Sequence, residues 1–186
     1  TERLDEYEAM FEDAGATVER RLVFTHDGQK TIDRTTTEHG CLAALVPNAT
    51  SSVEDVLVAV RGAVGIDRLT RVVAGLFRET DASVTLYHVA KPDETGEDVG
   101  TLLDGMVSRL EDRGVDTSRI ETRVDRDREA LRAIVEAADA FDVVVMGESD
   151  PTLATFVFGL PTDKVADRFL GPVLVVQRDP SEETAE

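Results

Sequence analysis

The sequence predicts an α/β fold in which a parallel β-sheet carries helices on both faces. Short apolar runs alternate along the chain with longer segments whose apolar residues recur every three or four positions. Several of the apolar runs are continuous, as expected for strands that are buried on both faces. The chain has 186 residues, of which 41% are hydrophobic, enough for one packed domain with or without an appendage.

The first 48 residues predict a helix followed by a strand–helix–strand unit. Apolar residues of the first segment lie on one helical face, and Gly15 is placed to end that helix. The second helix begins at Asp27 and is followed by a short apolar run that stops before Pro47. In chain order, the predicted elements are a helix over 2–14, a strand over 18–24, a helix over 27–38 and a strand over 42–46.

The small polar stretch 49–52 indicates a junction, and beyond it strands and helices alternate. We therefore divide the chain into an N-terminal segment 1–52, a main domain 53–178 and a loose acidic tail 179–186. The main domain has predicted strands over 56–60, 84–90, 120–124, 143–146 and 173–177, and predicted helices over 67–80, 101–113, 128–140 and within 153–170.

The N-terminal segment repeats part of the main domain at an offset of about one hundred residues. The sequence EDAG at 12–15 is echoed by EDRG at 111–114, and the helix opened by Asp27 is echoed by the one that follows Asp127. The segment therefore predicts a partial α-β-α-β repeat. Chance similarity between amphipathic segments is the alternative.

The charge balance excludes several classes of partner. Asp+Glu 38 against Lys+Arg 20 leaves a net charge of −18, which repels nucleic acid phosphates and anionic lipid headgroups. Lysine occurs only at 30, 91 and 164. Acidic, lysine-poor chains resemble proteins of salt-accumulating archaea, where the Debye length is about 3 Å near 1 M salt. An ordinary acidic mesophilic protein is the alternative.

No apolar run approaches the roughly 18 residues of a membrane-spanning helix, and no secretory leader is present. We therefore expect a cytoplasmic protein without direct membrane insertion.

Five motifs stand out in residues 55–178: DVLVAV at 55–60, LYHV at 86–89, VVVMG at 143–147, KVAD at 164–167 and GPVLVV at 171–176. By these motifs the segment resembles the universal stress protein family. The resemblance covers about two thirds of the chain, and its two most specific parts are the fourth-strand block and the closing strand. It implies a Rossmann-like five-stranded parallel sheet of order 3-2-1-4-5 and a homodimer formed through the last strand, 173–177.

The resemblance also implies a nucleotide site, because many family members bind ATP at the carboxyl ends of the strands. That site needs an acidic residue after the first strand and a glycine-rich loop ending in Ser or Thr after the fourth, whose N–H groups meet the phosphates. On this pattern the crevice residues of the present chain are Arg61, Gly62, Val89, Gly147, Gly159 and Thr162.

The present sequence departs from the family's pattern at each of these points. Arg61 stands where the acidic residue belongs. The loop begins with Gly147, but Asp150 and Pro151 replace its next glycine and the residue after it. Gly159 arrives one residue early and is followed by Leu160 and Pro161, so that Thr162 is the nearest hydroxyl.

These departures predict weak ATP binding. A micromolar site has about 8 kcal/mol of binding free energy. Each lost hydrogen bond to a charged phosphate removes roughly 1.5–3 kcal/mol. Proline has no N–H to donate, and the Asp150 carboxylate repels a triphosphate. We expect an ATP dissociation constant no lower than roughly millimolar. Arg61 could itself hold an anion.

Other reactive residues suggest no catalytic or metal site. The three histidines and Cys41 show no metal-ligand spacing. His39 beside Cys41 could indicate a reactive thiol, although Cys41 is more simply the start of a buried strand. His88 lies inside a predicted strand and is interpreted as structural, and the abundant carboxylates lie in polar stretches. We therefore expect a protein that is not an enzyme and holds no metal.

The sequence as a whole favours a non-catalytic stress-protein module that dimerises and binds a partner or a small anion through a degraded ATP site. Two alternatives stay open. One is a regulatory domain associated with a membrane transporter, and the other is an ATP-binding or nucleotide-binding switch.

Overall fold

The computed structural model describes residues 2–46, 52–61, 65–126, 129–147 and 171–177. The predicted helix within 153–170 and the tail 179–186 lie outside these residues. The helices are α1 (Glu2–Asp13), α2 (Gly28–Glu38), α3 (Ile66–Phe77), α4 (Gly96–Asp112) and α5 (Ala130–Ala138), with a 3-10 turn at Thr117–Arg119. The strands are β1 (Ala43–Val46), β2 (Asp55–Val60), β3 (Ser83–Val89), β4 (Ile120–Asp125), β5 (Val143–Gly147) and β6 (Val173–Val176).

The strands form one sheet in the order β1-β6-β5-β2-β3-β4. All pairs from β2 to β6 are parallel. Counted within the main domain, this is the predicted order 3-2-1-4-5. The sheet has six strands rather than five, because β1 pairs antiparallel with β6. The α/β fold with a mostly parallel sheet is therefore confirmed, and its outermost strand comes from the N-terminal segment.

Two apolar layers cover the two faces of the sheet. Side chains alternate between faces along each strand, so that Val56, Val58 and Val60 join one layer while Leu57 and Ala59 join the other. The first layer packs under α3 and α4, and the second packs under α5. The continuous apolar strands are therefore explained by burial on both sides.

Helix α4 begins at Gly96, inside the polar stretch 91–100, and not at the predicted residue 101. The Thr95 hydroxyl accepts the N–H of Asp98, and the Asp98 carboxylate accepts the N–H of Thr95. This reciprocal capping box satisfies amide groups that a helix start otherwise leaves without partners. The helix thus extends by five residues at its N-terminus.

The predicted strand over 18–24 is wrong, since residues 16–25 form no strand. Strand β1 has β6 as its neighbour, so the expected pairing of 18–24 with 42–46 does not occur. A strand needs a partner for its amide and carbonyl groups, and none of the described segments supplies one to 18–24.

The last strand was expected to be a sheet edge available for dimerisation, and this expectation is also wrong. Residues Val173–Val176 have β5 on one side and β1 on the other. A homodimer through 173–177 would require β1 to leave that edge. The physical reason is that the apolar edge of β6 is covered by a strand of the same chain.

Within the part of the chain that the structure describes, no helix combines the length and the apolar character needed to cross a bilayer.

Candidate functional site

The candidate site lies at the carboxyl ends of β2, β3 and β5, three adjacent strands in the middle of the sheet. Val60 pairs with His88, so the next residues, Arg61 and Val89, lie side by side. On the other side of β2, Ala59 pairs with Met146, which brings Gly147 level with Val60. The chain runs from β2 outward to β4 and then returns to β5 on the opposite side of β2. This reversal is the point where doubly wound sheets bind ligands.

The structure thus brings together three of the predicted crevice residues. Arg61 is exposed, Val89 is 5% exposed, and Gly147 is half-buried at the end of β5. The other three predicted residues, Gly62, Gly159 and Thr162, lie outside the described residues, as do the departures at 150, 151 and 161. The arrangement places the exposed Arg61 beside the buried Val89 at the end of β2.

His88 lies directly below this edge and is 2% exposed. Its Nδ1 donates to the carbonyl oxygen of Val60 at 2.9 Å, and its Nε2 lies 3.0 Å from Oε2 of Glu94. Each ring nitrogen of this buried side chain therefore lies within hydrogen-bond distance of a polar partner. The expected structural role of His88 is therefore supported, and the ring connects β2 and β3 to the loop that follows.

Glu94 anchors that loop. Partial burial raises the pKa of its carboxyl, but the Lys91 amide and the His88 ring outweigh burial and leave the pKa below its usual range. The Lys91 N–H donates to Oε2 at 2.7 Å. On the main chain, the carbonyl oxygen of Glu94 accepts from Nη1 of Arg126 at 3.1 Å. The loop beside the crevice is therefore held by charge-assisted hydrogen bonds.

A second polar group lies at the end of the neighbouring strand pair. The buried Tyr87 hydroxyl donates to Oδ2 of Asp125 at 2.6 Å. The guanidinium of Arg123 lies 5.2 Å from the centre of the Tyr87 ring, within the range of a cation–π contact, and 3.9 Å from the same carboxylate. These groups stiffen β3 against β4 on the flank of the crevice.

Glu94, Lys91 and the Tyr87–Asp125 pair are functional residues that the sequence pattern does not reveal. Lys91 and Glu94 belong to the polar stretch 91–100, whose composition predicts a loop. One feature of the sequence could have pointed to Glu94. It lies six residues after His88, near the end of a predicted strand, and a tight turn can bring residues at that spacing into contact. Asp125 is one of the carboxylates that the sequence places in a polar stretch, and its buried tyrosine partner lies thirty-eight residues away in sequence.

The remaining reactive residues lie apart from the crevice. Cys41 is half-buried, two residues before β1, as a strand-leading apolar residue would be. Over the described ranges, no three His, Cys, Asp or Glu side chains cluster in a way that could hold a metal ion.

Comparison with known proteins identifies the family. The family model described as the universal stress protein family matches residues 53–177. A solved universal stress protein in complex with cAMP is 23% identical, with a TM-score of 0.52 over 69% of this chain and 100% of that chain. One from Archaeoglobus fulgidus in complex with dAMP is 21% identical, with a TM-score of 0.48 over 68% and 98% of the two chains. No curated protein sequence matches.

The matched segment contains β2 to β6, the whole parallel part of the sheet, together with the crevice at its switch point. It makes up two thirds of the sequence, and the solved structure with bound cAMP has the same fold over that part. The chain belongs to the universal stress protein family.

Proposed function

We propose that the chain is a non-catalytic binding module that holds a small anionic ligand at the carboxyl ends of β2 and β5. The observation that carries the proposal is the position of Arg61. It directly follows β2 at the switch point of the sheet, beside Val89 and one residue beyond the level of Gly147. We propose the cytoplasm as the place where this module acts.

A cation at this position suits phosphate and opposes the family's usual adenosine contact. A guanidinium offers several N–H donors in a planar fork that matches phosphate oxygens. The guanidinium has no acceptor atom for a ribose hydroxyl, whereas the carboxylate of an acidic residue would accept that hydrogen bond. Together with Asp150, Pro151 and Pro161 in the loop sequence, this favours a compact monoanion or dianion over a triphosphate.

A nucleoside monophosphate is the second candidate ligand, favoured by the solved relative that binds cAMP. Such a ligand carries one phosphate and needs fewer loop donors than ATP does. It would place that phosphate near Arg61 and its base along the apolar strand ends around Val89.

Calorimetry in about 2 M KCl tests the proposal with inorganic phosphate, cAMP and ATP. We expect phosphate or cAMP to bind and ATP to bind no tighter than roughly millimolar. The change Arg61→Gln should weaken binding by roughly 10–100-fold, since a charged hydrogen bond contributes about 1.5–3 kcal/mol. The matched control is Arg78→Gln, an exposed arginine just beyond α3, which should leave affinity unchanged.

Two results would overturn the proposal. An ATP dissociation constant of about ten micromolar or lower would show a working triphosphate site. Equal affinity of wild type and Arg61→Gln for every ligand would remove Arg61 from the binding site.

A further inference from the structure

Helices α1 and α4 end in the same way, ninety-nine residues apart. Gly15 and Gly114 both adopt a left-handed backbone, with φ of 86° and 89°. Each donates its N–H at 2.8 Å, to the carbonyl of Glu12 and of Glu111 respectively. Such an end suits glycine, which has no Cβ penalty at positive φ. The common geometry makes the two helices comparable position by position.

Helix α1 has an exposed apolar stripe at the positions that are buried in α4. In α4, Leu103, Met106 and Leu110 are 4%, 0% and 0% exposed, because they pack onto the sheet. Ninety-nine residues earlier, α1 has Leu4, Tyr7 and Phe11, which are 37%, 45% and 51% exposed, and Met10 beside them is 58% exposed. A stripe of this kind is buried in α4 and open in α1.

A second uncovered feature follows α1 directly. Leu22, Val23 and Phe24 are 68%, 50% and 92% exposed. No main-chain hydrogen bond connects residues 17–24 with any other part of the described chain. The ion pairs of Arg20 with Asp5 and Glu8 hold this segment against α1. A strand-like sequence thus lies beside the apolar stripe with its backbone groups still to be paired.

The third feature is the outer edge of β1, which ends the sheet. Among the described strands, Ala43–Val46 pairs only with β6, and Leu45 is 54% exposed. An open edge presents a row of amide and carbonyl groups to another strand.

We propose that residues 2–46 form a self-association surface whose occupant is a second copy of this chain. Residues 18–24 of each copy add as a strand to the open β1 edge of the other, and the α1 stripes close over the joint. Each copy supplies what the other needs: an unpaired strand-like segment and an unpaired edge. A reciprocal exchange of this kind has two-fold symmetry and closes at the dimer.

The exposed apolar area supports a second copy as the occupant. Aromatic side chains present roughly 150–250 Å² each, so the exposed fractions of Tyr7, Phe11 and Phe24 supply on the order of 350 Å². The exposed aliphatic side chains of this segment raise the area toward the ~800 Å² per partner of a stable interface; they are Leu4, Met10, Leu22, Val23, Leu42 and Leu45.

Sedimentation equilibrium of the whole chain in about 2 M KCl gives the first test. We expect a dimer in the wild type and a mass shift to monomer in Phe24→Asp, with the far-ultraviolet circular dichroism retained. The matched control is Leu76→Asp on α3. Leu76 is an exposed apolar residue as well, at 53%, but it lies outside the N-terminal segment. That variant should stay dimeric.

A cross-link tests the strand addition itself. In a Cys41→Ser background, chains with Val23→Cys are mixed with chains with Leu45→Cys and treated with a short bis-maleimide. We expect a covalent heterodimer, and little product when either chain reacts alone. A monomeric wild type at about 100 μM would overturn the proposal in favour of a different occupant. So would a dimer that Phe24→Asp leaves intact, or a mixture that yields no heterodimer.

Discussion

Nε2 of His88 lies 3.0 Å from Oε2 of Glu94, and this contact joins the central sheet to the loop beside the candidate site. The histidine is buried, while the glutamate side chain is 21% exposed. The other ring nitrogen is held by the carbonyl of Val60, one residue before Arg61. The position of the loop beside the candidate site therefore depends on the contact between His88 and Glu94.

Replacing Glu94 should destabilise the fold and reduce its sensitivity to acid. Its pKa is depressed in the folded state, so its stabilising contribution is present above the usual value near 4.5 and is lost as pH falls through the folded value. We expect Glu94→Gln to lower the free energy of unfolding at pH 7 by about 1–3 kcal/mol. Urea unfolding of wild type and variant at pH 7 and pH 4 measures this difference in the free energy of unfolding, which should be smaller at pH 4.

The control is Glu97→Gln, an exposed acid at the start of α4, which should behave like wild type at both pH values. An equal loss for Glu94→Gln at pH 7 and well below pH 4 would contradict a stabilising role for the ionised Glu94 carboxylate.

Asp142→Ala should weaken the opposite end of the sheet. One carboxylate oxygen accepts the N–H groups of Glu54 and Asp55 at 2.8 and 2.9 Å. These amides hold the pKa of Asp142 below its usual range. We expect a loss of roughly 1.5–3 kcal/mol in the free energy of unfolding. Asp139→Ala, an exposed acid just after α5, is the control, and similar unfolding midpoints for the two variants would disprove the role of Asp142.

Thermal stability should rise with salt. A net charge of −18 on 186 residues destabilises the compact state by self-repulsion, and added KCl screens it. Differential scanning calorimetry from tens of millimolar to about 2 M KCl should show an increasing Tm. A constant Tm over this range would rule out the halophilic adaptation that the composition suggests.

Equivalent leucines on the two comparable helices should respond differently to truncation. Leu103→Ala removes a buried side chain from α4 and should cost about 2–5 kcal/mol. Leu4→Ala removes a 37% exposed one from α1 and should cost less than about 1 kcal/mol in dilute protein, where self-association is minimal. Urea unfolding at low micromolar concentration compares them. Equal costs would mean that α1 is packed as α4 is.

Part of the candidate site could be predicted from the sequence, because strand ends determine it. Once 55–60, 84–90 and 143–146 are identified as parallel neighbours, Arg61, Val89 and Gly147 must come together. Contacts between the middle of one element and a distant loop were not predictable in this way. The Glu94 carboxylate reaches His88 only because the 91–95 turn folds back over the strand end.

In the N-terminal segment, the local sequence pattern does not by itself decide which residues form a strand. Residues 18–24 have the composition of a strand, and they form none in this chain, since β propensity expresses itself only against a neighbouring strand. Residues 43–46 do form a strand, because the edge of β6 pairs with them.

By itself, the sequence determined what depends on local physics. Continuous apolar runs specified the buried strands, helical spacing specified α1 and α3–α5, and Asp27 was identified as the start of a helix, where its carboxylate caps the N–H of Lys30. Only the tertiary structure decided which edges of the sheet are covered. The antiparallel addition of β1 to β6 moved the open edge from the main domain to the N-terminal segment. Edge pairing is a competition between strands far apart in sequence, so no local pattern encodes its outcome.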